Sequence, residues 1–113
     1  MLSKEQILAA TTAKKVKTVT IADFGTVGIR VMTGTEREAW ERAIIKDGKV
    51  SSDNIRANLL AKCLCDDAGN RLFSDSEIDS VGLLPANVVV PLYDVAQKIN
   101  ALTQTDVDEL AKN

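Results

Sequence analysis

The sequence contains no histidine. That absence removes Ser-His-Asp and Cys-His catalysis, the commonest zinc ligand and the usual general base near neutral pH. It points to a protein that is not an enzyme. Aromatic residues make up only 4% of the 113 residues, so a core must be built from Ala, Val, Leu and Ile. Such a core favours helices packed on helices or on a small sheet. The two cysteines, Cys63 and Cys65, are too close in sequence to staple distant elements. On one helix their side chains would point about 200° apart, which makes a reduced thiol pair the plain expectation. No apolar run approaches the ~18 residues that cross a bilayer, so no membrane partner is expected. The opening MLSKEQILAATTAKK lacks the positive stretch and long apolar run of a signal peptide. There is no basic excess either: 14 basic and 16 acidic residues give a net charge of −2, and Lys14, Lys15 and Lys17 form the largest basic cluster. Phosphate contacts supply most of the affinity for nucleic acid, so nucleic acid is not expected as a partner.

What is present reads first as possible chemistry, in CLCDDAGNRLFSD, Cys63 to Asp75. A calcium loop of the EF-hand kind needs ligands at positions one, three and five, glycine at six and glutamate at twelve. Started at Asp66, it has Ala68 at three and Arg71 at six; started at Asp67, it has Gly69 at three and Arg71 at five. Both registers fail. Zinc would need four thiolate, imidazole or carboxylate ligands, and a redox pair would need Cys-x-x-Cys spacing beside a βαβ pattern. Phosphate-loop and dinucleotide fingerprints are missing too. Asp66/Asp67 and Asp106/Asp108/Glu109 read as solvated turn and helix-cap groups. No catalytic residue, metal or cofactor is expected.

The local signals describe a single domain over 1–113 that is α+β and mainly α-helical, an N-terminal β-hairpin packed on a small bundle of helices. Ser3 and Gln6 form a capping box for a short helix over 3–10, with Leu2 stapled onto Ile7. Alternating β-branched residues on both sides of Ala22-Asp23-Phe24-Gly25 predict a hairpin over 16–32 with Val27, Ile29 and Val31 on one face. Thr35, with Glu38 three residues on, opens a helix over about 35–46 that Gly48 is placed to end. Trp40 lies on its apolar stripe as a core anchor or an interface residue. Ile55, Leu59, Leu60, Cys63 and Leu64 give a helix over about 53–65. Ser74 and Glu77 cap a short helix over 75–81. A long helix spans 85–101, with Pro91 expected to kink it or delay its start. Thr105 caps a short acidic helix over 106–112.

Taken in order, VMTGTEREAWERA, NIRANLLAKCLCDDAGNRLFSDSEID and LPANVVVPLYDVAQKINALTQTDVDEL resemble the tail assembly chaperones of long-tailed bacteriophages with non-contractile tails. The resemblance runs from LSKEQIL to the terminal KN. It is carried by Thr33, Gly34 and Arg37, by Leu59 to Leu64, by Asp66 to Phe73 and by Asn100 to Thr103. It implies a helper in the host cell cytoplasm that is absent from the finished virion, binds the tape measure protein, keeps it soluble and helps the tail tube polymerise around it. It also implies a minority form extended by ribosomal frameshifting, which contacts the tail tube protein. Ala111-Lys112-Asn113 is a peptide that a slippery A-AAA-AAY heptamer can encode. The alternative class is a structural virion component, a head–tail connector or minor tail protein.

A chaperone for an elongated helical client needs exposed apolar surface bordered by charge, and often forms homo-oligomers. The expected partner-binding residues are Val89, Tyr93, Ile99 and Leu102 on the outer face of the long helix, and Val107 and Leu110 on the terminal one.

Overall fold

A computed structural model of the chain describes residues 1–11, 16–51 and 54–102. The β-branched run folds as read: β1 (Val16–Ile21) pairs antiparallel with β2 (Gly25–Arg30), from Val16 opposite Arg30 to Ile21 opposite Gly25. Asp23 at φ 66° and Gly25 at φ 137° make the turn between them. The Thr20 and Thr26 hydroxyls meet across the pair at 2.9 Å, one of the cross-strand contacts that stabilise a ladder. The inward alternation stops sooner than expected. Ile29 is fully buried, but β2 ends at Arg30, so Val31 turns to solvent and Met32 is buried in its place.

Four helices and three short strand pieces follow among the described residues. Thr33, not Thr35, caps α2 (Gly34–Ile44): its hydroxyl accepts from the Glu36 N–H at 3.1 Å, and Glu36 accepts from the Thr33 N–H at 2.9 Å. The two capping boxes are offset by two residues, and the earlier one sits where the chain leaves β2. The helix also stops before 46. Asp47 at φ 53° and Gly48 at φ 74° form a tight Asp-Gly turn joining β3 (Ile45–Lys46) to β4 (Lys49–Val50). Trp40 and Ile44 point into the core.

The central element is α3 (Ile55–Cys63), buried at every position from Ala57 to Cys63. It ends two residues short of expectation. The Leu64 N–H still donates to Leu60, but ψ swings to 126°, and β5 (Leu64–Cys65) adds to the sheet against β2, giving the order β1-β2-β5. Gly28 makes that approach possible, because a Cβ there would lie 2.8 Å from the Cys65 carbonyl oxygen. A 3₁₀ turn (Asp75–Glu77) leads into α4 (Ile78–Gly82), and α5 (Ala86–Ile99) packs on α3 and β2. Pro91 lies inside α5, which starts at Ala86 without delay. Ile29, Trp40, Ile44, Leu59, Leu60, Cys63, Val81, Leu92 and Ala96 form the centre of the core. The expected α+β, mainly helical class therefore holds, with a three-stranded sheet where a hairpin was expected.

The N-terminal segment stands apart. Ser3 caps α1 (Lys4–Leu8) through the expected reciprocal bonds with Gln6, a 3₁₀ turn over Ala9–Thr11 replaces its last turn, and α1 buries no residue. The expected helix over 106–112 lies outside the described residues.

Candidate functional site

The surface with the right character lies where α3 begins, α4 ends and α5 begins. Asn54 opens α3 in a left-handed conformation, φ 50°, and Gly82 releases α4 beside it; a Cβ at Gly82 would come within 3.1 Å of the Asn54 amide oxygen. The two helix ends and the first turns of α5 enclose a hollow of about 260 Å³, floored by Ile55, Ala57, Leu84, Val89 and Val90 and bordered by Arg56. Leu83, 86% exposed, and Val90, 39% exposed, carry the apolar character out to solvent. Large apolar side chains left in water beside a hollow of mixed polar and apolar lining make this a candidate binding surface. Arg56 stacks its guanidinium 5.4 Å from the centre of the Tyr93 ring, a cation–π contact, and among the described residues no carboxylate reaches it within ion-pair distance. Arg56 thus places one cationic group on the border.

The expected partner-binding residues fall into three groups. Val89 lines the hollow. Tyr93 and Leu102 are buried, which corrects their placement on an outer face, and Ile99 is half-buried against the core. They are drawn inward because α5 is covered on more than one side, by α3 and by β2. Val107 and Leu110 lie outside the described residues. Leu83, Val90, Ile55 and Arg56 were not read from the sequence, although a signal for two of them was there. Three consecutive valines, Val88 to Val90, span about 200° of a helix, so they cannot all face one core; likewise Leu83 and Leu84, side by side after Gly82, diverge, and Leu84 packs inward.

The acidic stretch that first suggested a metal site is a turn. Asp66 Oδ1 accepts the backbone N–H groups of Ala68 and Asn70, both at 2.9 Å, and Gly69 takes φ 84° to close the loop. Among the described residues no group of three or more His, Cys, Asp or Glu side chains comes together. Cys63 and Cys65 are both buried free thiols, and burial pushes the Cys63 thiol up to about 12, which keeps it protonated and unreactive. Phe73 packs against the core, and Glu77 accepts from both the N–H and the hydroxyl of Ser74, at 2.9 and 3.1 Å.

The fold has a counterpart among solved structures. The structure of the bacteriophage HK97 tail assembly chaperone matches with a TM-score of 0.59 and 21% sequence identity, over 76% of this chain and 85% of that one. The chain has the fold of a tail assembly chaperone. No family model matches the sequence, and no curated protein does. The fold is shared although about four residues in five differ over the matched part.

Proposed function

We propose that the chain is a phage tail assembly chaperone that binds the tape measure protein, keeps it soluble and promotes polymerisation of the tail tube around it. The fold shared with the HK97 chaperone is the observation that carries this reading. The hollow lined by Val89, Val90 and Arg56, with the exposed Leu83 next in sequence to its lining residues Gly82 and Leu84, supports it, because an elongated helical client needs an apolar strip with a charged border. In this reading the chain is a binding protein and not an enzyme, self-associates as a homo-oligomer, works in the host cytoplasm and is left out of the virion. A frameshift-extended form contacts the tail tube protein.

Co-expression with the tape measure protein of the same genome tests it. The expected result is a soluble complex that co-purifies, where the tape measure protein alone is insoluble. Leu83→Asp should weaken that complex at least tenfold while the melting temperature stays within about 3 °C, since this side chain is already 86% exposed. A chain found by mass spectrometry at fixed copy number in purified virions would instead be a virion component, and the chaperone reading would fall.

A further inference from the structure

The outer edge of the sheet is open. In the order β1-β2-β5, no strand pairs with the far side of β1 among the described residues. A strand edge carries a row of unpaired N–H and C=O groups, a template for another chain unless proline, a bulge, charge or shortness blunts it. The opposite edge is blunted. β5 is two residues long, Cys65 bridges to Arg71, and the Leu72 N–H donates to the Leu64 carbonyl at 3.0 Å. β1 is six residues, VKTVTI, with no proline and a single charge, Lys17 near its start. Its register with β2 runs without a skipped residue from Val16 opposite Arg30 to Ile21 opposite Gly25, so no bulge twists it away.

The side chains of this edge are complementary to a second copy of themselves. Alternate residues of a strand face opposite sides. Val19 and Ile21 pack toward the core with Val27, whereas Thr18 and Thr20 are exposed on the other side, where Thr20 meets Thr26 at 2.9 Å. Two antiparallel copies in one sheet are related by a two-fold axis perpendicular to it, so each residue meets one on its own face. Centred on Val19, the pairing sets Val19 against Val19, Thr18 against Thr20 and Lys17 against Ile21. The apolar row Val27–Val19 then runs on into the same row of the second copy, and the hydroxyl row Thr26–Thr20 runs on to the second copy's Thr18. Matched cross-strand pairs of this kind stabilise a ladder. The Lys17 stem lies along the second copy's Ile21. The two lysines stand about 14 Å apart along the strands, beyond the ~8 Å screening length at physiological salt. Centring on Thr18 instead sets Val16 against Thr20 and breaks both rows, and centring on Lys17 sets two ammonium groups face to face.

We propose that β1 pairs antiparallel with the β1 of a second copy, centred on Val19, and joins two three-stranded sheets into one. This rests on the self-association included in the function above and names its surface; it needs nothing of the client.

Sedimentation and cross-linking of the full chain test it. The parent chain should shift from monomer toward dimer as its concentration rises. Thr18→Lys with Thr20→Lys in one chain sets like charges opposite each other, and should weaken the dimer at least tenfold. The melting temperature of the monomer should stay within about 3 °C, because both side chains are exposed. In a second arm, chains carrying Thr18→Cys are mixed with chains carrying Thr20→Cys under mild oxidation, with Cys63 and Cys65 buried. The mixture should form a disulfide between chains at least tenfold faster than either variant alone, since directly opposite residues lie within bonding range and diagonal ones do not. Equal rates in mixed and separate samples, or a dimer untouched by the lysines, would overturn the edge pairing and leave self-association to another face. A parent chain that stays monomeric at every concentration would remove self-association and edge pairing together. Neither result bears on tape measure binding, which co-expression reads separately.

Discussion

Asn100 shows how much one polar side chain settles. Its Oδ1 accepts from the Met32 N–H at 2.8 Å, and its Nδ2 donates to the Ala96 carbonyl at 2.9 Å and lies 3.6 Å from the Cys63 sulfur. It thus joins the exit of β2, the end of α3 and the end of α5. Asn100→Leu fills the space but leaves the buried Met32 N–H unpaired, and should cost about 2–3 kcal/mol, read as a lower urea midpoint at constant slope. Sequence alone does not disclose this, because an asparagine at a helix end reads equally well as an ordinary cap. Cys63 was legible: its place on the apolar stripe of α3 predicted a small core residue, and it is fully buried. Burial raises its folded value to about 12 from about 9. Between those values the unfolded chain releases a proton that the folded chain keeps, so stability is full below about 9 and falls as pH rises above it. Tyr93, raised chiefly by its burial, acts in the same direction at higher pH. The expected measurements are no reaction with a thiol reagent at pH 8 until denaturant is added, and an alkaline decline that is flatter in Cys63→Ala.

At the scale of elements, the corner after α3 is held by an ion network. Lys62, buried to 3% exposure, donates to Asp75 at 2.9 Å, and Arg71 Nη2 donates to the same carboxylate at 2.8 Å while Nε and Nη2 of Arg71 donate to the Ala61 carbonyl at 3.1 and 2.9 Å. The hydrogen bonds from Arg71 and Lys62 hold the Asp75 carboxyl below its ordinary value. A lowered folded value gives stability that is present above the unfolded carboxyl range and lost as pH falls through the folded one. Asp75→Asn leaves Lys62 buried beside Arg71 without an anion. It should cost about 1–2 kcal/mol at neutral pH, less than a fully buried pair because Asp75 is itself well hydrated. The difference from the parent chain in thermal melts should shrink steadily below pH 4. Helices and the hairpin were legible because their periods and caps are local. β5 was not, because two residues carry no period. Its strand state is imposed by Gly28, 36 residues earlier in the chain, whose missing side chain lets the backbones meet. The start of α2 was misplaced for a related reason: Thr33 and Thr35 each head a capping box, and only the end of β2 selects between them.

For the molecule as a whole, α1 contributes little to the folded body. It buries nothing, and its apolar residues Leu2, Ile7 and Leu8 are exposed. Removing residues 1–11 should shift the melting temperature by less than about 3 °C, a surface-type effect. A larger loss of tape measure binding than of stability would assign those side chains to the client. The candidate surface was only half legible. Val89 does line the hollow, but Tyr93 and Leu102 were placed outside because a sequence shows one helix's stripe and not how many neighbours cover it.

The bond between Met32 and Asn100 joins residues 68 apart in sequence, and this sets a clock on biosynthesis. At about 5–20 residues per second, the ribosome needs roughly 3–14 s to add the residues that separate the two. For most of that interval Ile29 and Trp40, both fully buried in the finished protein, wait for α5 to be completed. A protein whose proposed work is to shield another chain's apolar surface is, for several seconds of its own synthesis, in need of the same protection.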